Sequence, residues 1–288
     1  MRTVIILLSF MLTAGLAIGK QQVTLKNITA KTVRYNGAAC LCFKFDVILK
    51  YSPKQLKAQH DTSDWYNIAV TFKDSGLLNA AKGFNRLADS MGILTGYHRI
   101  YPYGDDKLSG AQEIYLPLAA FNLTEGKHHL NPGFIVTASY GDTVDCSFKT
   151  DTISVLIPQQ IKLKISISEI EVSPTDGHGE SWDYYLFNPR NAKPEVCWST
   201  VFFGTKLNGS PYTNNSYFYN DAEHNDDFEF VISKGDIFYI KVFDFDITSF
   251  SDLIGALKID MDTYKNEGSL HITKFNLVLN MDYLICPM

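Results

Sequence analysis

The chain has 288 residues, 45% hydrophobic and 13% aromatic, enough apolar material for two packed cores and unlike a disordered chain. A formal net charge of -5 and a pI near 5.8 exclude a general nucleic-acid binder, whose phosphate contacts need a basic surface.

Met1 to Gly19 reads as a secretory signal peptide: Arg2 is the positive n-region, Val4 to Leu12 the apolar core, and Ala17 and Gly19 the small cleavage-site residues. The mature chain is expected to start at Lys20 or Gln21, in a secreted, periplasmic or extracellular setting. An uncleaved N-terminal anchor is the alternative. No Cys follows the apolar core, so the bacterial lipoprotein signal is missing.

From Gln21, short alternating apolar runs separated by turn residues predict strands. VTLKNITAKTV, CLCFKFDVILKY and WYNIAVTF come first. Ala80 to Met91 is expected to be a short helix or a long loop. Strands are expected again at Glu113 to Leu118, Gly133 to Tyr140 and Val144 to Ile157, with a turn at Glu125-Gly126. The pattern restarts near Pro158-Gln159-Gln160, which marks a boundary between a domain at 20–158 and one at 161–288. Further strands are expected at Ile161 to Val172, Glu195 to Phe203, Asp227 to Ser233, Ile237 to Phe243, Ala256 to Asp260, Gly268 to Thr273 and Asn276 to Leu279. No run predicts a long helix, so the fold class is all-β, two antiparallel sandwiches, the first Ig-like in pattern.

Export permits disulfides among Cys40, Cys42, Cys146, Cys197 and Cys286. Cys40 and Cys42 share one strand face, so Cys146 reaches at most one of them, and Cys197 with Cys286 is a possible pair in the second half. Buried free thiols are the alternative.

The stretch KVFDFDITSFSDLIG, Lys241 to Gly255, crowds Asp244, Asp246 and Asp252 into a strand end and loop. Carboxylates this close repel unless a cation lies between them, and several carboxylates with backbone carbonyls suit calcium. A solvated acidic turn is the competing explanation.

The second half resembles a C2 domain, the calcium- and phospholipid-binding sandwich. The resemblance rests on residue order: Gly179 to Asp183, then Lys193 to Val196, then His224 to Phe230 matching a W-N-E-x-F-x-F pattern, then Gly235-Asp236, then the D-x-D-x5-D-x-I-G loop at Asp244, Asp246, Asp252 and Gly255. It implies Asp183 as first-loop ligand, Asp244, Asp246 and Asp252 as third-loop ligands, and backbone carbonyls of Trp182 and Phe245 as further ligands. Lys193 departs from the pattern, because the family usually has an acidic residue there, while Asn191 offers a neutral oxygen. The lost negative charge implies one calcium, held weakly at roughly 10⁻⁴ to 10⁻³ M.

The same loops carry Tyr184, Tyr185, Phe187 and Phe250, with Arg190 and Lys193 beside them. With calcium in place these residues suit the headgroup boundary of an anionic phospholipid membrane. A protein partner, or calcium that only stiffens the loops, is the competing use.

Catalysis lacks a motif: there is no G-x-S-x-G, P-loop or H-E-x-x-H, and adjacent His128 and His129 point to opposite faces of a strand. Trp65-Tyr66 is read as core rather than as a sugar platform. The expectation is an exported, non-enzymatic protein that binds calcium and, through it, a membrane or another surface. The alternative is a structural or adhesive surface protein whose acidic loop holds no metal or uses it only for rigidity.

Overall fold

The computed structural model describes residues 22–49, 65–73, 76–101, 111–138, 145–147, 151–175, 193–209, 218–220, 228–244, 252–260, 262, 267–274 and 277–287. Strands dominate, and among the described residues no helix is long and apolar enough to cross a membrane.

The first half forms two facing sheets. One contains β1 (Gln22–Tyr35), β2 (Ala38–Leu49), β5 (Ala111–Pro117) and β7 (Asp145–Ser147), in the order β5-β2-β1-β7. The other contains β3 (Tyr66–Lys73), β4 (Thr95–Ile100), β6 (Gly126–Ala138) and β8 (Ile153–Ile157), in the order β4-β3-β6-β8. All pairings are antiparallel except β1 with β7, where Gln22 to Thr24 run parallel to Asp145 to Ser147.

Strand periodicity explains this half. In β3, Tyr66, Ile68, Val70 and Phe72 are buried and alternate with half-buried or exposed residues, as expected when one sheet face is packed. Phe43, Phe72 and Phe134 meet between the sheets, with Phe43 5.8 Å from Phe72 and 5.5 Å from Phe134 between ring centroids. β1 turns into β2 through Asn36 and Gly37, both at positive φ (48° and 80°), the twist a two-residue hairpin needs.

The second half forms another pair of sheets. β10 (Val196–Phe202), β11 (Thr205–Gly209), β14 (Ile237–Asp244) and β15 (Asp252–Asp260) make one, in the order β11-β10-β14-β15. β9 (Gln160–Val172), β12 (Phe218–Asn220), β13 (Phe228–Ser233), β16 (Glu267–Lys274) and β17 (Leu277–Pro287) make the other. There β9 pairs with β17 on one edge and with β12 and β13 on its other edge. Trp198 on β10 is buried beside Phe228, 5.3 Å between centroids, and Phe230 meets Phe238 at 5.3 Å.

The structure departs from the sequence expectations at several places. The 80–91 stretch is not one of them: it is a loop with a short 3-10 turn at Asn85–Leu87 and isolated bridges, one of the two expected alternatives. β4 falls outside the expected strands, because TGYHRI lacks a clean apolar alternation. β17 runs to Pro287, well past Leu279, since it lies along nearly all of β9. β15 begins at Asp252 rather than at Ala256, so Asp252 is a strand residue.

The cysteines also depart from a bridged arrangement: Cys40, Cys42, Cys197 and Cys286 are free. Val196, Trp198 and Thr200 of β10 are buried, which turns Cys197 to the outer face of its sheet. On β17, Leu279, Met281 and Tyr283 are buried, which turns Cys286 outward on the opposite sheet. The two thiols therefore face away from each other across the sandwich.

The packed interiors of the two halves are in contact with each other. Buried residues of both belong to one continuous hydrophobic cluster. Phe84 of the first half packs edge-on to Phe202 of the second, 5.9 Å between centroids, and Tyr35 packs edge-on to Phe203 at 5.8 Å. Gln160 anchors the connection through its side-chain amide, which donates to the carbonyls of Leu118 (3.1 Å) and Phe121 (2.8 Å).

Candidate functional site

β14 alternates so that Phe238, Ile240, Val242 and Asp244 are buried and the residues between them half-buried. Asp244 therefore stands on the inner face, at the end of the sandwich where the core stops. It is 1% exposed, and its Oδ1 accepts the backbone N–H of Glu195 at 2.9 Å. That bond ties the start of β10 to the end of β14, whose last pair is Val196 with Asp244. The donor is a main-chain group, so its contribution cannot be read from residue types.

On the other side Asp244 pairs with Asp252, the first residue of β15. The register shifts between Val242 and Phe243, and this bulge is what brings the two aspartates opposite each other. Burial holds the thiol of Cys197, the next residue along β10, above its ordinary range; Lys206 opposes that shift and the Asp244 carboxylate adds to it.

The ends of the strands fix where the flanking segments leave the sandwich. Gln160 pairs with Ser233, and the turn after Ser233 leads directly into Ile237, so these three residues share one end. That end faces the first half, through the contacts at Gln160 and through the backbone N–H of Ile237, which donates to the Gly37 carbonyl at 2.9 Å. Asp244, Asp252, Val196 and Val172 are the opposite termini of their strands and share the far end. Segments 176–192 and 245–251 are thus entered and left at the end remote from the first half.

Of the residues expected to hold calcium, Asp183, Asp246, Trp182 and Phe245 lie outside the described residues, and so do Tyr184, Tyr185, Phe187, Arg190 and Phe250. Lys193 is exposed at the exit from segment 176–192. Among the described residues no group of three or more His, Cys, Asp or Glu could hold a metal ion. What the described part offers such an ion is a buried carboxylate, fixed by a backbone donor and opposed in register by a second aspartate.

No family model and no curated protein matches the chain. Among solved structures it is similar to human GIVD cytosolic phospholipase A2 in complex with an inhibitor, at 14% identity and a TM-score of 0.35, over 44% of this chain and 17% of that one. The chain thus spans less than a fifth of the phospholipase. It is similar to a structure of a C2 domain at 15% identity and a TM-score of 0.30, over 43% of this chain and 97% of that one. It is also similar to the calcium-bound tandem C2 domains of extended-synaptotagmin 2, at 9% identity and a TM-score of 0.33, over 77% of this chain and 96% of that one.

Proposed function

We propose that this is an exported, non-enzymatic protein whose second sandwich binds calcium at its far end and uses the occupied loops to dock on an anionic membrane. The observation that carries the reading is the Asp244–Asp252 pair. Like charges directly opposite in an antiparallel pair are destabilising, and Asp244 is also withdrawn from water. A divalent cation removes both costs at once.

Asp183 and Asp246, with the carbonyls of Trp182 and Phe245, would complete the ligand set from segments that border the same end. Calcium is a hard cation that takes six to eight oxygens in flexible geometry, which suits donors from separate segments. Its charge would offset the local carboxylates and let Arg190 and Lys193 meet phosphate headgroups while Tyr184, Tyr185, Phe187 and Phe250 enter the interface. Because this end is remote from the first half, docking there does not require the halves to part.

Sedimentation of the full chain with phosphatidylserine-containing vesicles tests this reading. The protein is expected to pellet with vesicles in millimolar calcium and to stay in the supernatant in chelator. Equal pelleting in both conditions would favour a calcium-independent adhesive surface instead.

A further inference from the structure

Asp236, in the turn just before β14, lies at the opposite end from the calcium loops and plays no part in that reading. Its side chain is fully buried. One carboxylate oxygen, Oδ1, accepts the backbone N–H of Ala39 in the first half at 2.8 Å. The other, Oδ2, accepts the backbone N–H of Ser233 in the second at 2.9 Å.

We propose that Asp236 is a proton-operated latch between the two sandwiches: each oxygen holds one sandwich, and gain or loss of a proton there sets how firmly they are joined. The surroundings fit a joint with one moving charge. The tip of the β1–β2 hairpin lies against the Ser233–Ile237 turn, where Arg34 donates to the Gly235 carbonyl and Ile237 donates to the Gly37 carbonyl at 2.9 Å. A Cβ at Gly37 would lie 3.0 Å from the Ile237 carbonyl oxygen, so the two backbones are in close contact.

The charged and titratable groups facing the latch come from each element packed on it. β1 contributes Arg34, β2 contributes Cys40, and the Asp262 carboxylate lies beside Gly235. Lys234 is in the turn itself. Burial, with the Asp236 charge adding to it, pushes the Cys40 thiol up to about 12, so it remains a neutral group that donates to the Ala38 carbonyl at 3.4 Å.

Burial pushes the Asp236 carboxyl up to about 6, against the two N–H bonds and Arg34, which favour the charge. A state in which the joint opens returns Asp236 to water and to an ordinary value of about 3.9. The closed joint therefore binds the proton more tightly than the open one. Its extra stability is complete below about pH 4 and is lost as pH rises through about 6. A difference of about two pH units corresponds to roughly a hundred-fold in the closed-to-open ratio. Acid tightens the latch, and neutral pH loosens it.

The test is an NMR titration of the isotopically labelled full chain from pH 4 to 8, following the Asp236 carboxyl carbon and the amides of Ala39 and Ser233. All three are expected to move with one midpoint near 6. In parallel, Asp236→Asn keeps an oxygen acceptor but cannot titrate, and its unfolding equilibrium should lack the roughly hundred-fold pH dependence that the wild type shows over this range. A carboxyl midpoint near 4, or an Ala39 amide indifferent to it, would overturn the latch, as would a variant that keeps the wild-type pH dependence. If the variant fails to fold, the wild-type titration alone decides.

Discussion

Calcium at 10 mM is expected to raise the thermal midpoint of the full chain by several degrees and to leave that of an Asp244→Asn variant unchanged. For a site of roughly 10⁻⁴ to 10⁻³ M, mass action at this concentration stabilises the native state by about 1.4 to 2.7 kcal/mol. In a chain of this size that is a shift of roughly 3 to 10 °C. The substitution is informative because it separates two roles of one side chain. Asparagine retains an Oδ1 able to accept the Glu195 N–H, so the junction of β10 with β14 is preserved. It removes the charge that opposes Asp252 and that would hold the ion. Without calcium the variant should be no less stable than the wild type, since removing a buried charge offsets any weakening of the retained hydrogen bond. A variant that responded to calcium as the wild type does would place the ion elsewhere. Differential scanning calorimetry with calcium and with chelator reads all four conditions.

The second large effect belongs to the joint between the halves. Gly37→Ala is expected to cost clearly more than Gly92→Ala, by upwards of about 1 kcal/mol. Both glycines have a φ of 80°, so each substitution carries the same left-handed backbone penalty of about 1 to 2 kcal/mol. They differ in what the new methyl group meets. At Gly92 nothing lies within 4 Å, whereas at Gly37 the Ile237 carbonyl oxygen is at 3.0 Å and its Cβ at 3.1 Å. Relieving that overlap must move the hairpin tip off the second sandwich, which stretches the Ile237 to Gly37 hydrogen bond and the Ala39 to Asp236 bond beside it. Urea unfolding of the two variants measures the difference. Equal costs would mean that the joint yields freely and does not couple the halves.

The sequence was a good guide wherever a strand has one packed face. Tyr66, Ile68, Val70 and Phe72 of β3 and Phe238, Ile240 and Val242 of β14 announce their buried face by alternation alone. Alternation gives no register, however. That Asp244 pairs with Asp252 depends on a bulge that no residue type signals, and Asp252 therefore read as a loop residue. The pairing of Cys197 with Cys286 failed for a related reason: each faces outward in its own strand, but only the packing of the sheets shows that the two outer faces are opposed.

The joint was illegible for a different reason. Asp236 and Ala39 are 197 residues apart, and a backbone donor carries no mark in the amino-acid sequence. Gly235-Asp236 could be read only as one step in the order that resembles a C2 domain. An Asn-Gly dipeptide such as Asn36-Gly37 favours a hairpin turn, but it carries no information on what that turn touches. The boundary near Pro158-Gln159-Gln160 was legible from the restart of the strand pattern, but not the buried contact that joins the two halves in one hydrophobic cluster.

The most direct measurement is an isothermal titration of calcium into the full chain, wild type and Asp244→Asn side by side. Saturable binding of one ion per chain, at roughly 10⁻⁴ to 10⁻³ M in the wild type and lost in the variant, is the predicted result. Absence of binding up to 10 mM calcium, or equal binding by both proteins, would contradict it.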